Sequence, residues 1–188
     1  IPSVIYGLLG IMILNPLMYK IELFIFKGST THQFTGGSNL LSAIIVLAIM
    51  ILPIISRNTQ TALETVPKSY REAALGIGAT KWYMIRTVLL PSCMPGILTG
   101  VILAMGRIVA ESAALLFTAG SVHVLPTNIF GHVLSSGGTL TIELYLQMAK
   151  GNYDVAFVIA LVLIVIVLGL NMLAKVITKK FDVQEVKN

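Results

Sequence analysis

Arg107 and Glu111 are the ionisable residues of a long apolar run that extends from Pro95 to Phe117. Residues four positions apart lie on the same face of an α-helix, so the spacing predicts one helix that carries both charges. The run is long enough to cross a bilayer, where an ionisable group costs on the order of 2.5–3.5 kcal/mol even on lenient insertion scales. Such groups normally face a protein interior or a water-filled path, so the pair predicts that the chain is part of a translocation device.

The composition excludes an ordinary soluble domain, because 56% of the 188 residues are hydrophobic and only 11% are charged. We therefore predict an all-α integral membrane protein. Four apolar runs approach or exceed the roughly 20 residues that span the hydrocarbon layer: Ile1 to Tyr19, Ser38 to Ile55, about Met94 to Thr118, and Tyr153 to Ala174. Asn15-Pro16 is expected to interrupt the first run. That run has no initiator Met and no basic segment before it, so we expect an N-terminal truncation and not a signal peptide.

Basic residues predict the orientation, since Lys and Arg accumulate in cytoplasmic loops. Residues 56–91 and the tail, 175–188, hold most of them: Arg57, Lys68, Arg71, Lys81, Arg86, Lys175, Lys179, Lys180 and Lys187. Both segments are therefore predicted to be cytoplasmic, and residues 119–152 to form an outer loop with a short helix that is either a gate or a plain connector. Anionic lipid headgroups account for the net charge of +5, so nucleic-acid binding is not expected.

Residues typical of catalysis or metal binding are sparse. Cys93 is the sole cysteine and cannot form an internal disulfide, while His32, His123 and His132 match no common zinc spacing. The chain also has no Walker A sequence and no nucleophile elbow. We therefore predict no catalytic residue, no metal site and no cofactor in this chain, so that the energy for transport comes from elsewhere.

The segment 56–91 predicts two short helices separated by glycine. Pro67 suits a first helical turn, and Ser69 with Glu72 fits a capping box. Gly76 and Gly78 are expected to end the first helix, and the second is expected to run from Lys81 to Leu90, where Pro91 stops it. From the residues alone this hairpin could instead lie on the lipid surface as an amphipathic element, helped by Lys81, Trp82, Tyr83 and Arg86.

The residues of this segment also carry a resemblance. Glu72-Ala-Ala74, three residues, Gly78, nine residues and Val88-Leu-Leu-Pro91 resemble the EAA loop of ABC importer permeases, with Val88 where Ile is usual. The resemblance implies a type I importer permease with the MetI-like helical bundle. It also implies that the loop forms coupling helices that dock into a cytoplasmic ATPase, a role that falls to Glu72, Ala73, Ala74, Gly78, Leu90 and Pro91.

The run from Pro95 to Ala119 looks like the phosphate importer permeases of the Pst system, and its ending, Ala-Leu-Leu-Phe-Thr-Ala, favours the A-type subunit. This resemblance implies that residues 1–188 form an ABC transporter transmembrane domain, with four of six expected helices. The implied partners are a C-type permease subunit, two ATPase copies that bind ATP and Mg²⁺, and an extracytoplasmic phosphate-binding protein. The implied location is a prokaryotic plasma membrane.

Small residues share the predicted face of Arg107 and Glu111. At about 100° per residue, Gly96, Gly100 and Ala104 fall within roughly one quarter of the helix circumference together with both charges. Gly96 and Gly100 are spaced for close helix packing, although such pairs are common in membrane helices. This face is the one expected to contact another protein helix or to line a path.

Two interpretations of Arg107 and Glu111 stay open. In the first they form an intrahelical ion pair that holds the bundle, worth about 0.2–0.5 kcal/mol on a helix surface. In the second Arg107 presents a planar charged fork to phosphate oxygens, and Glu111 holds that fork and prevents a deep anion trap. The alternatives in substrate and class are a permease for sulfate or molybdate, and a channel or structural subunit that needs no ATPase.

Overall fold

The computed structural model describes residues 2–27, 34–122 and 133–185, and the regular secondary structure in these ranges is helical. The helices are α1 (Ser3–Ile25), α2 (Leu40–Glu64), α3 (Lys68–Gly76), α4 (Lys81–Val109), α5 (Ala113–Thr118), α6 (Leu140–Ala149) and α7 (Tyr153–Glu185). Of these, α1, α2, α4 and the Tyr153–Val176 part of α7 are long and apolar enough to cross a membrane. The prediction of four spans is therefore confirmed for the described residues, and the short helix expected within 119–152 is α6.

Two of the spanning helices contain a π turn immediately before an X-Pro pair. Gly10–Leu14 precedes Asn15-Pro16 in α1, and Ile85–Leu89 precedes Leu90-Pro91 in α4. In each turn an N–H donates five residues back, from Asn15 to the Gly10 carbonyl and from Leu90 to the Ile85 carbonyl. Proline has no N–H and its ring collides with the carbonyl four residues earlier, and a wider turn lets the helix continue past it. The predictions that Asn15-Pro16 interrupts the first span and that Pro91 ends a helix are wrong.

The third predicted span is displaced along the chain. α4 begins at Lys81 and ends at Val109, and α5 begins only at Ala113, so the single helix predicted across Pro95 to Phe117 is wrong. Glu111 lies in the break. Its N–H donates to the Ile108 carbonyl at 3.1 Å, and its carboxylate accepts the Ala114 N–H at 3.2 Å. A side chain that bonds a nearby backbone amide competes with the helix ladder, which explains why the helix stops here.

The first of two compact units is drawn from Ile1–Met50 and Ile108–Ile166. Close packing of α5 on α1 depends on glycine, because a Cβ built on Gly7 would lie 2.8 Å from the Phe117 ring and one on Gly10 would lie 2.5 Å from the Thr118 methyl. The apolar core of this unit is formed by buried side chains from α2, α5 and α6 and the residue after α5: Ala43, Leu115, Ala119 and Ile142.

The second unit is drawn from Ile51–Arg107 and Val167–Asn188. Its core joins the C-terminal end of α2 to α3 and to the first turns of α4. The buried members are Ala62, Val66, Ala74, Met84, Leu89 and Cys93. The residues of the predicted loop therefore form a packed structure of their own, in which residues 56–64 extend α2 and are not loop.

Candidate functional site

The connection between α3 and α4 is a tight turn built on glycine. α3 ends at Gly76, and Gly78 has a φ of +82°, a backbone conformation that glycine adopts without steric cost. The N–H of Gly78 donates to the Leu75 carbonyl at 3.0 Å and that of Ala79 to the Ala74 carbonyl at 3.1 Å, which closes the helix end. The predicted arrangement of helix, glycine turn and helix is confirmed.

The start of α3 differs from the prediction, whereas α4 begins at Lys81 as predicted. α3 begins at Lys68 directly after Pro67, and no side chain caps it, so the predicted capping box of Ser69 and Glu72 is wrong. Pro67 is the residue just before the helix, with a φ of −55° and a ψ of 138°, so Lys68 is the first helical residue and Ser69 already lies inside the first turn. The capping residue that the sequence analysis missed is Thr80, whose hydroxyl oxygen accepts the Tyr83 N–H at 3.3 Å at the start of α4.

Outward-facing residues of this turn form an exposed surface that mixes apolar and charged groups. Ile77 is 84% exposed and Trp82 is 71% exposed, which is unusual for large apolar side chains unless they contact a partner or lipid. We call the exposed set the loop surface: Tyr70, Glu72, Ala73, Leu75, Ile77, Trp82 and Tyr83. Ala74, by contrast, is buried in the core of the second unit. Glu72 and Ala73 are thus exposed, whereas Ala74 packs α3 against the core of this unit.

Arg71 ties α3 to the end of α2. Its guanidinium donates to the Leu63 carbonyl at 3.0 Å. That carbonyl is in the last turn of α2, where carbonyls have no intrahelical partner and where a positive charge is favourable. The Arg71 Nε is buried without a hydrogen-bond partner in the described structure. Arg71 therefore joins α3 directly to the C-terminal end of α2.

Gly96 and Gly100 lie where α4 passes closest to α2. A Cβ built on Gly96 would be 2.7 Å from the Ala62 Cβ, and one on Gly100 would be 2.6 Å from the Asn58 Cβ. Both distances are far below a normal carbon contact, so only glycine fits at this spacing. The two glycines are one turn apart on α4, and Asn58 and Ala62 are one turn apart on α2. The backbone of α4 therefore packs against side chains of α2 over a full helical turn.

The structure gives Arg107 and Glu111 different surroundings. Arg107 lies in the last turn of α4 and is exposed, whereas Glu111 is 6% exposed. The Glu111 carboxylate accepts the Ala114 N–H, and its carbonyl accepts the Thr141 hydroxyl at 2.7 Å. Among residues 2–27, 34–122 and 133–185, no ion pair of either side chain is found. The shared helix face predicted for Arg107 and Glu111 does not exist, because Glu111 stands outside α4.

A buried polar network in the first unit was missed by the sequence analysis. The Asn15 amide donates to the Ser38 hydroxyl at 3.0 Å and to the Phe117 carbonyl at 3.2 Å, and its oxygen accepts the Ser42 hydroxyl at 2.7 Å. Asn39 accepts the Ser42 N–H at 2.9 Å. These polar residues lie within the first apolar run or at the start of the second, and that position is the only sign in the sequence that they are buried. The partners of Asn15 are 23 to 102 positions away, so no local pattern could identify them.

Metal and cofactor chemistry finds little support in the described residues. No group of three or more His, Cys, Asp or Glu side chains within those ranges is arranged to hold a metal ion. His32, His123 and His132 lie outside the described ranges. The structure has an exposed guanidinium near one end of α4 and the exposed loop surface at the other end.

Residues 1–183 of the chain match the family described as "Binding-protein-dependent transport system inner membrane component". The chain is 39% identical over 81% of its length to "Probable ABC transporter permease protein YqgH" of Bacillus subtilis (strain 168) and 35% identical over 93% to "Phosphate transport system permease protein PstC" of Mesorhizobium japonicum. It is 37% identical over 79% of its length to "Phosphate transport system permease protein PstA" of Yersinia pestis.

These matches cover 45%, 55% and 49% of the three relatives, so the chain spans about half the length of the curated proteins it matches. No solved structure gives a significant match. The family has the MetI-like permease fold, which agrees with the all-helical structure and its four apolar spans. The chain therefore belongs to the family of binding-protein-dependent transport system inner membrane components.

Proposed function

We propose that this chain is a transmembrane permease subunit of an ATP-driven importer of inorganic phosphate. The observation that carries the proposal is the exposed loop surface on the glycine turn. Arg71 joins α3 to α2 through the Leu63 carbonyl, and the two glycine contacts pack α4 against α2. A surface that only lay on lipid would not need such a connection. A surface that transmits force to α2 and α4 does need it.

The loop surface is the docking site for a cytoplasmic ATPase in this proposal. ATP and Mg²⁺ bind to that partner, and the chain itself carries out no covalent chemistry and holds no cofactor. When the ATPase moves Glu72 and Ala73, the displacement reaches α2 through Arg71 and α4 through the Gly78 turn. Leu90 and Pro91 follow the π turn of α4, where the altered hydrogen bonding offers a place for the helix to bend.

Arg107 is the substrate contact in this proposal. Its guanidinium is planar, permanently charged and exposed, and its fork of donors matches the oxygens of a phosphate ion. Glu111 does not hold the Arg107 guanidinium, as the sequence suggested. It follows the end of α4, and its carboxylate accepts the Ala114 N–H in the first turn of α5. The guanidinium thereby stays free to bind and release an anion, which suits transit better than tight capture.

The family and the charge distribution support the following assembly and orientation. Residues 56–91 and 175–188 are cytoplasmic, residues 119–152 lie on the outer side, and the membrane is the plasma membrane of a prokaryote. The partners are a second permease subunit, a pair of ATPase subunits and an extracytoplasmic phosphate-binding protein. The chain is proposed as the A-type subunit, although relatives named PstA and PstC match it with similar identities of 37% and 35%.

A second candidate function is import of another tetrahedral oxyanion, sulfate or molybdate. The guanidinium fork of Arg107 accepts any of these anions, so it does not discriminate among them. The names of the relatives favour phosphate. A channel or structural subunit without an ATPase would leave the loop surface without a role.

The test is ATP-dependent uptake of labelled phosphate into vesicles that contain the full-length permease pair, the ATPase and the binding protein. We expect Arg107→Ala to reduce uptake by about a hundredfold and Arg107→Lys to reduce it less, because the lysine keeps the charge but loses the bidentate fork. Lys20→Ala, which removes an exposed cation from α1, is the matched control and should transport normally.

Two outcomes would change the assignment. Normal uptake by Arg107→Ala would return Arg107 to a structural role. Loss of phosphate uptake in the presence of excess sulfate or molybdate would transfer the substrate to the second candidate.

A further inference from the structure

A groove in the second unit lies between α4 and the C-terminal half of α7. Its volume is about 570 Å³. Three apolar and four polar side chains line it: Ile102, Leu103, Leu168, Thr99, Asn171, Lys175 and Thr178. A groove of this size that carries a cation and branched apolar side chains is suited to an amphiphile.

The polar and apolar residues follow each other along the axis of α7. Leu168, Asn171 and Lys175 recur at helical spacing, so they lie on one face of that helix. At 1.5 Å per residue, Lys175 is about 10 Å above Leu168. The apolar span of α7 ends at Val176, so Lys175 lies at the membrane boundary and Leu168 lies within the hydrocarbon layer.

The polar end of the groove offers both positive charge and hydrogen-bonding groups. Lys175 is exposed and carries the positive charge of the groove. The hydroxyls of Thr99 and Thr178 donate to the Pro95 and Ala174 carbonyls at 3.0 Å, which leaves their oxygens available as acceptors. An ammonium and an amide suit a phosphodiester, and the two hydroxyl oxygens suit the donors of a glycerol headgroup.

We propose that this groove binds an anionic phospholipid, with the phosphodiester at Lys175 and Asn171 and an acyl chain along Leu168 and Leu103. Basic sites at the cytoplasmic ends of membrane helices recognise anionic headgroups, and the charge complementarity here is of that kind. A free phosphate ion would leave the apolar half of the groove without a ligand. The lipid accounts for both halves.

The test is native mass spectrometry of the full-length protein with added phosphatidylglycerol or phosphatidylcholine. We expect the wild type to retain phosphatidylglycerol in preference to phosphatidylcholine, and Lys175→Gln to weaken that retention about fivefold, as expected for one lysine at a membrane surface. Lys150→Gln, which removes an exposed lysine outside the groove, should have no effect. Leu168→Trp should also weaken retention, because it fills the apolar half while every charge is kept.

Several results would overturn the proposal. Equal retention by Lys175→Gln and the wild type would remove the headgroup site, and an unaffected Leu168→Trp would mean that the lipid adheres by charge alone. Displacement of the lipid by excess inorganic phosphate would make this a site for the free anion. Loss of a co-purifying subunit from Lys175→Gln, with lipid retention unchanged, would make it a protein contact. The measurement involves no transport, so its outcome is independent of the proposed function.

Discussion

The two ends of α4 are held in different ways. At the Lys81 end, Met84 and Leu89 are buried in the core of the second unit, and the helix then presses two glycines against α2. At the Val109 end, Arg107 is exposed and the helix stops at a break in the chain. A close-packed end transmits displacement because protein interiors compress little. An open, charged end can bind a solute, so the proposed mechanism separates the mechanical and chemical tasks along one helix.

The break beyond Val109 is a defined structure. Buried backbone groups that are not bonded within a helix require other partners. Two side chains provide them here, since the Glu111 carboxylate accepts the Ala114 N–H and the Thr141 hydroxyl donates to the Glu111 carbonyl. The end of α4 that carries Arg107 is therefore followed by a fixed connection, whereas the other end is joined to a turn that must move in the proposed mechanism.

The largest expected effect comes from the turn at the packed end. Gly78→Pro forces φ from +82° to about −65°, so α3 can no longer present the loop surface in its present orientation. We expect phosphate uptake to fall by about a hundredfold while the chain still inserts into the membrane, and ATPase activity to lose its dependence on the binding protein. Gly78→Asn is the matched control, because asparagine tolerates positive φ and should keep most of the uptake. Normal transport by Gly78→Pro would refute the coupling role.

The next effect tests what the loop surface binds. Glu72 is exposed and makes no packing contribution, so Glu72→Lys should leave stability unchanged and act at the interface. Reversal of one interfacial charge is expected to weaken co-purification of the ATPase about tenfold. Asp154→Lys, an equivalent charge reversal at the exposed start of α7, serves as the control and should leave the complex intact. An ATPase that co-purifies equally with both variants would show that Glu72 lies outside the docking site.

A smaller effect tests the contact between α2 and α4. Gly100→Ala places a Cβ about 2.6 Å from the Asn58 Cβ, so the helices must separate, at a cost of roughly 1–3 kcal/mol for an overpacked site. We expect a lower melting temperature and reduced uptake per ATP hydrolysed. Gly106→Ala is on the same helix with nothing within 4 Å, so it should be neutral or slightly stabilising. Asn58→Gly in the Gly100→Ala background should restore coupling, and failure to do so would place the defect elsewhere.

The packed end could be predicted from sequence more fully than the open end. The glycine turn and the four spans depend on local residue properties, namely the backbone freedom of glycine and runs of apolar side chains. Gly96 and Gly100 indicated a close contact, but Asn58 and Ala62 could not be named, because a partner across a helix pair leaves no trace in the spacing of one helix.

The errors arose where side chains or prolines altered a helix in its interior. The capping box at Ser69 failed because the helix starts earlier, at Lys68, and Pro91 did not end a helix because the π turn before it absorbs the missing hydrogen bond. The break at Glu111 depends on Thr141, a residue 30 positions away. The position of a carboxylate in an apolar run predicts that its charge is costly to bury. It does not predict that the carboxylate lies just before the start of a second helix.

The smallest effect concerns that break. Thr141→Val keeps the shape of the side chain but removes the hydroxyl that donates to the Glu111 carbonyl, which leaves a buried acceptor unsatisfied. We expect the free energy of unfolding to fall by about 1–2 kcal/mol and uptake to change little, because Arg107 itself is untouched. Thr141→Ser retains the hydroxyl and should restore most of the stability, and Thr61→Val, at an exposed hydroxyl that bonds only within α2, should be nearly neutral. If Thr141→Val melts at the same temperature as the wild type, the Glu111 side chain alone stabilises the break. If uptake collapses without a loss of stability, the connection after Arg107 moves during transport, and the mechanical and chemical tasks are not separated along α4 as proposed.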